Sequence, residues 1–159
     1  MDKLLSILSE NARVTNKELA AMLGTDEDDV AKRIAKLERE GVLCGYPAVI
    51  DWDKVQDKDR VVAFIELKVT PRADSGFDEI ASEIMAMDEV EAVYLMSGGF
   101  DLAVYVTGRT FQEVAMFVAK RLSPLQSVVS TATHFVLKKY KDRGTCMNTE
   151  TDERSFCFD

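Results

Sequence analysis

Residues 90–106, VEAVYLMSGGFDLAVYV, hold the key to the architecture. Two apolar, β-prone runs at 90–96 and 102–106 flank Ser97-Gly98-Gly99-Phe100-Asp101, and a glycine tip between such runs reads as a hairpin. On both sides the period changes from two to three-and-four. Upstream, Phe77, Ile80, Ile84 and Met87 mark an amphipathic helix that Ser75 is placed to cap. Downstream, Phe111, Val114, Phe117, Val118 and Leu122 mark another, starting at Thr110. One step further out lie two more strands. Val61, Ala63, Ile65, Leu67 and Val69 alternate along the first, and the last runs near 128–137. The order is β-α-β-β-α-β, which makes an α+β, ferredoxin-like unit: one antiparallel four-stranded sheet covered by two helices.

Residues 1–44 have a different character. Leu4, Leu5, Ile7 and Leu8 give a first short helix, broken at 11–14. Thr15 and Glu18 form a capping box for a second, whose stripe is Leu19, Met22 and Leu23 and whose end is Gly24. Residues 25–28 repeat the device before a third helix carrying Val30, Ile34 and Leu37, which ends at Gly41. Two capped helices across a glycine turn, with a third in front, make a helix-turn-helix, winged-helix-like in general form. Residues 47–52 read as a linking strand and 51–60 as a polar connector. The expected division is therefore a helix-turn-helix at 1–44, a linking strand and hinge at 45–59, a ferredoxin-like domain at 60–140, and a tail at 141–159 read as an extension.

Composition sets the outer limits. The 159 residues are 47% hydrophobic and 30% charged, enough apolar matter for a packed core and too much for disorder. Lys plus Arg is 20 against 28 for Asp plus Glu, a net charge of −8, so overall charge does not draw this chain to polyanions. No apolar run has membrane-spanning length and the start lacks a secretory pattern, so no membrane partner is expected. Cys44, Cys146 and Cys157 are spaced for neither a metal nor a disulfide framework, which favours free thiols and a cytoplasmic location. His134 is the one histidine. It supports no metal triad and no nucleophilic triad, and reads as a packing residue among apolar strand neighbours. No enzyme, cofactor or metal is expected.

Three stretches in order resemble the feast/famine, or Lrp/AsnC, transcription regulators across roughly 1–140: LLSILSENARVTNKELAAMLGTDEDDVAKRIAKLEREGVLCGYPAVID, SGGFDLAVYV and STATHFVLKKYK. The resemblance implies a homodimer, often built into an octamer, in which linking strands pair between protomers and sheets pack face to face. The Val61-to-Val69 stripe would then be the exposed apolar face. It implies double-stranded DNA as a partner, read by the third helix, with Lys32, Arg33, Lys36 and Arg39 as the DNA-binding candidates. It also implies a small-molecule effector, typically an amino acid, near the glycine hairpin. There Ser97, Gly98 and Gly99 would offer backbone N–H groups to a carboxylate. Asp101 would pair with an ammonium, Phe100 would form a wall, and Thr131 and Thr133 would add hydroxyls.

One feature opposes the DNA reading. Asp26, Glu27, Asp28 and Asp29 stand on the leading turn of the third helix, and residues 1–46 carry seven Lys/Arg against nine Asp/Glu, a net −2. Acids there suit the helix dipole, yet beside phosphates they repel. Two alternatives follow: a ligand sensor that has lost DNA binding, and a siroheme-decarboxylase-like enzyme on the same scaffold. The single histidine and the regulator-type Gly-x-aromatic-Asp turn weigh against the second.

Overall fold

The computed structural model describes residues 2–56 and 59–147. The chain divides into two compact units, Met1–Ala48 and Val49–Asp159. The first holds α1 (Lys3–Glu10), α2 (Asn16–Leu23) and α3 (Glu27–Arg39). Their inward stripes meet in a small core of Leu4, Leu8, Leu19, Ala20 and Val30, with Ile34 and Leu37 packed at its edge. The capping box at α2 is formed. Glu18 N–H donates to Thr15 Oγ1 at 3.3 Å, and Thr15 N–H donates to Glu18 Oε2 at 2.8 Å. Gly24 ends α2 at φ 68°, where a side chain would be strained. The expected second box is absent. Asp26 is the N-cap of α3 without a side-chain cap bond, and the Thr25 hydroxyl turns to Asp29 instead, at 3.4 Å.

The second unit contains β1 (Val61–Val69), α4 (Asp78–Met85), β2 (Val90–Leu95), β3 (Leu102–Gly108), α5 (Phe111–Phe117) and β4 (Val128–Phe135). The four strands form one antiparallel sheet in the order β2-β3-β1-β4, so β1 lies between β3 and β4. Together with the three N-terminal helices this is the expected α+β architecture. α5 continues into a wider turn at Val118–Leu122. Ala63, Ile65, Leu67 and Val69 pack on Val104, Val106, Ile80, Ile84 and Leu122 to make the main core.

Several expectations fail for identifiable reasons. The Val61-to-Val69 stripe is not the exposed face: Ile65 and Leu67 are fully buried against this unit's own helices. The uncovered face carries the alternate residues, where Phe64 touches the rings of Phe100, Tyr105 and His134 at 5.4–5.9 Å. His134 belongs to that face, with its Nε2 3.3 Å from Glu66 Oε1, and so is not a core residue. Residues 47–51 form no strand, because a strand needs a ladder partner and this chain supplies none there. Trp52 opens a short 3-10 turn, Trp52–Lys54. Ser75 does not cap α4; Phe77 is the N-cap position and the Ser75 hydroxyl donates to Glu79 at 3.1 Å. Past β4, two short strands, Lys141–Asp142 and Thr145–Cys146, pair and carry Met147 into a buried position, so 141–147 is structured rather than a loose extension. The expectations for 148–159, Cys157 included, lie outside the described residues. Cys146 is disulfide-bonded, against the expectation of free thiols, whereas Cys44 is an exposed free thiol.

Candidate functional site

Two constellations stand out, and each is shaped by its local sequence. On α3, acids gather in the first turn (Glu27, Asp28, Asp29) and bases in the last (Lys36, Arg39), the distribution that the helix dipole favours. The four candidate cations do not share one environment. Arg33 Nη2 donates to both carboxylate oxygens of Asp2 at 2.8 Å, and Asp2 in turn caps α1 by accepting from Leu4 N–H at 2.9 Å. The Asp2 carboxyl is held below the usual carboxylate value, chiefly by the Arg33 hydrogen bond; desolvation opposes this and the Leu4 N–H adds to it. Arg33 is therefore occupied in tying the start of α1 to α3. Lys36 Nζ lies 3.8 Å from Glu40 one turn on, in an exposed pair of little strength. Lys32 and Arg39 are exposed and, among the described residues, have no ion-pair partner. The four candidates thus divide into two that are paired, Arg33 and Lys36, and two that are not.

Lys3 adds a contact that sequence reasoning missed, its Nζ donating to the Met22 carbonyl at 3.2 Å near the end of α2. Asp2 was missed too. Its signal was local: an acid directly before an apolar-periodic run is an N-cap.

At the second constellation, residues 97–101 join β2 to β3. Gly98 sits at φ 137°, a backbone conformation open to glycine, so the tip requires it. Asp101 closes the loop onto the sheet. Its N–H donates to the Leu67 carbonyl at 2.9 Å, and its Oδ2 accepts from Val69 N–H at 2.8 Å, where the β1–β4 register shifts. One carboxylate oxygen of the expected ammonium partner is thus engaged by backbone. Phe100 does not stand as a free wall; its ring meets Phe64 edge-on at 5.9 Å on the uncovered sheet face. Thr131 and Thr133 pair across from Leu67 and Ile65, and directly paired residues share a face, so their side chains are on the helix-covered side. The structure brings Ser97 to Asp101 and Thr131 to the same end of the sheet around Leu67. It sets the Phe100 ring and the two hydroxyls on opposite faces.

Among the described residues no group of His, Cys, Asp and Glu is arranged to hold a metal ion, and no helix is long and apolar enough to cross a membrane. Comparison with known proteins assigns both units. Residues 2–38 match the AsnC-type helix-turn-helix domain and residues 62–146 match the Lrp/AsnC ligand binding domain. The chain is 47% identical over 152 residues to the uncharacterised HTH-type transcriptional regulator YugG of Bacillus subtilis, covering 96% of this chain and 92% of that protein. It is 24% identical over 139 residues to a leucine-responsive regulatory protein of Haemophilus influenzae, covering 87% and 82%. Among solved structures, the transcriptional regulator NMB0573 of Neisseria meningitidis, in complex with L-Met, superposes with a TM-score of 0.69 at 25% identity, covering 89% of this chain and 93% of that one. PH0061 shares the fold with a TM-score of 0.74 at 24% identity, covering 89% and 96%.

Proposed function

This chain belongs to the Lrp/AsnC family of helix-turn-helix transcriptional regulators, and on that basis we propose how its own residues divide the work. α3 enters the major groove of double-stranded DNA with Lys32 and Arg39 on phosphates. Lys36 joins them once it leaves Glu40, and Arg33 remains on Asp2 to hold the helices together. The observation that carries this reading is the α2–Gly24–α3 pair, with α2 capped by Thr15, within a chain matched to the AsnC-type helix-turn-helix. A local net charge of −2 makes a single head weak, so the protein binds as a homodimer or a larger ring, in which linked heads raise each other's effective concentration. The second copy covers the uncovered sheet face, where Tyr94 is 54% and Tyr105 36% exposed.

The effector is an amino acid at the 97–101 hairpin, its carboxylate on the N–H groups beside Gly98 and Gly99. Because Asp101 is tied to β1, binding there reaches the sheet and its packing against other copies. We assign no enzymatic activity, and a cytoplasmic location follows from work on DNA. The supporting experiment has two arms. K32Q/R39Q lowers DNA affinity and reduces the log–log salt slope by about 2, since each of the two cations neutralises one phosphate. A panel of L-amino acids shifts DNA affinity or sedimentation in the wild type, and a bulky replacement of Gly98 abolishes the shift.

A second reading has its own support, the acids that lead α3. If the helix-turn-helix now serves only packing, neutralising residues 26–29 (Asp26→Asn, Glu27→Gln, Asp28→Asn, Asp29→Asn) leaves DNA binding absent. On the first reading the same change strengthens it.

A further inference from the structure

Charge is spread unevenly along this acidic chain. From Val136 to Met147 the sequence reads VLKKYKDRGTCM, with Lys138, Lys139, Lys141 and Arg143 against Asp142, a net +3 in a chain of net −8. The segment follows β4 and belongs to the second unit. Its backbone is fixed by hydrogen bonds. Val136 N–H donates to the Val62 carbonyl at 2.9 Å, Lys141–Asp142 pairs with Thr145–Cys146, and Met147 N–H donates to the Tyr140 carbonyl at 2.8 Å. Met147 is itself buried, beside a small cavity of about 60 Å³ that Ile50, Val62 and Val136 also line. The ribbon is thus held at its base, and its cations stand on a scaffold that binding does not have to order.

One ion pair uses up the only acid of the segment, Lys139 Nζ lying 2.9 Å from Asp142 Oδ2. Lys138, Lys141 and Arg143 are exposed and, among the described residues, have no carboxylate partner. Lys138 Nζ lies 5.0 Å over the Tyr140 ring, which is 73% exposed; that contact steadies the ammonium without cancelling its charge. The tip carries a further signal. Arg143 and Gly144 both have positive φ, 46° and 83°, as the two-residue loop of a tight hairpin requires. Among the described residues Arg143 is the one residue other than glycine in that region. Asn, Asp or Gly adopt it at lower cost, so arginine is not there for the turn. What it adds is a guanidinium at the tip of the ribbon, a fork that matches phosphate oxygens.

We propose that this ribbon is a second DNA-contacting element, in which Lys138, Lys141 and Arg143 bind the phosphate backbone of duplex DNA without reading its sequence. The proposal rests on the reading of the chain as a DNA-binding regulator, and is independent of which α3 residues make contact. Duplex DNA is the occupant because the helix-turn-helix segment has a net charge of −2 and needs attraction from elsewhere, and the ribbon supplies three uncompensated cations. A duplex presents one phosphate charge per ~1.7 Å, so closely spaced cations meet several at once.

Fluorescence anisotropy of the full-length protein over a salt series tests this, with the duplex from immediately upstream of its own gene and a scrambled duplex of equal length. K138Q/K141Q/R143N is compared with the wild type and with K32Q/R39Q. The expected result is a log–log salt slope smaller by about 2–3 in the ribbon variant, with affinity reduced alike on both duplexes. R143N relieves the turn, so the thermal melt does not fall and sedimentation is unchanged. An unchanged slope in the ribbon variant, beside a reduced one in K32Q/R39Q, would overturn the proposal and leave the α3 reading standing. The reverse pattern upholds the ribbon and overturns the α3 reading. Affinity lost only together with assembly would overturn the proposal too, since the ribbon's partner is then a second copy. So would a slope that the ribbon variant changes only once E150Q/D152N/E153Q is also present, which assigns the cations to the acids that follow them in sequence.

Discussion

At the scale of single residues, three positions carry more than their surroundings suggest. Asp2 caps α1 and holds Arg33. Its carboxyl is lowered in the folded protein, so the linked stability is present above the unfolded carboxylate value and is lost as pH falls through the folded one. D2N, which still caps but cannot pair as a charge, melts below the wild type at pH 7. The two melting curves converge below about pH 4, as a pH series of thermal melts would show. Asp101 holds the hairpin to β1. D101A leaves the Val69 N–H without its acceptor and costs about 1–3 kcal/mol in a denaturant titration. Gly108 has no room for a side chain: a Cβ there would meet Val114 Cγ2 at 2.9 Å, so G108A is overpacked and loses about 1–3 kcal/mol. None of these three roles was legible in the sequence beyond the turn propensities of Asp and Gly. Two of them depend on a partner far along the chain, Arg33 for Asp2 and Val69 for Asp101.

At the scale of elements, most of the fold could be read. The period-two and period-three stretches became β1 to β4 and α1 to α5 because each had a face to bury within its own unit. Leu67→Ala tests that burial: a fully buried leucine under the helices loses about 2–5 kcal/mol by calorimetry or urea. T15A, which breaks the formed capping box, costs about 1 kcal/mol. What misled was pattern without partner. Residues 47–51 have strand composition but no ladder in this chain, and 25–28 have capping-box spacing although Thr25 found Asp29 instead. The alternation in β1 correctly marks one face as apolar, and that face turned out to be the core of its own unit rather than an interface. The second alternation, Phe64 with Tyr105 and His134, was visible as aromatic residues yet became meaningful only once the register set them side by side.

At the scale of the whole molecule, two units each bury a core of their own, and the sequence reported their family well. Four cations on α3 looked equivalent, and the structure separates Arg33, fixed on Asp2, from Lys32 and Arg39. R33Q should therefore lower the stability of the helical unit more than it changes the salt slope of DNA binding. If a second copy covers the aromatic sheet face, Y105D shifts the sedimentation profile toward monomer and weakens DNA binding together with it, since a single head lacks the linked second one. On this view an acidic chain regulates DNA through a few phosphate contacts multiplied by assembly. Fluorescence anisotropy puts that to the proof, using DNA from immediately upstream of its own gene, titrated in salt against competitor DNA. Saturable binding that survives competitor and falls linearly with log salt concentration is expected. Absence of binding at low salt, by a folded and assembled protein, would contradict it.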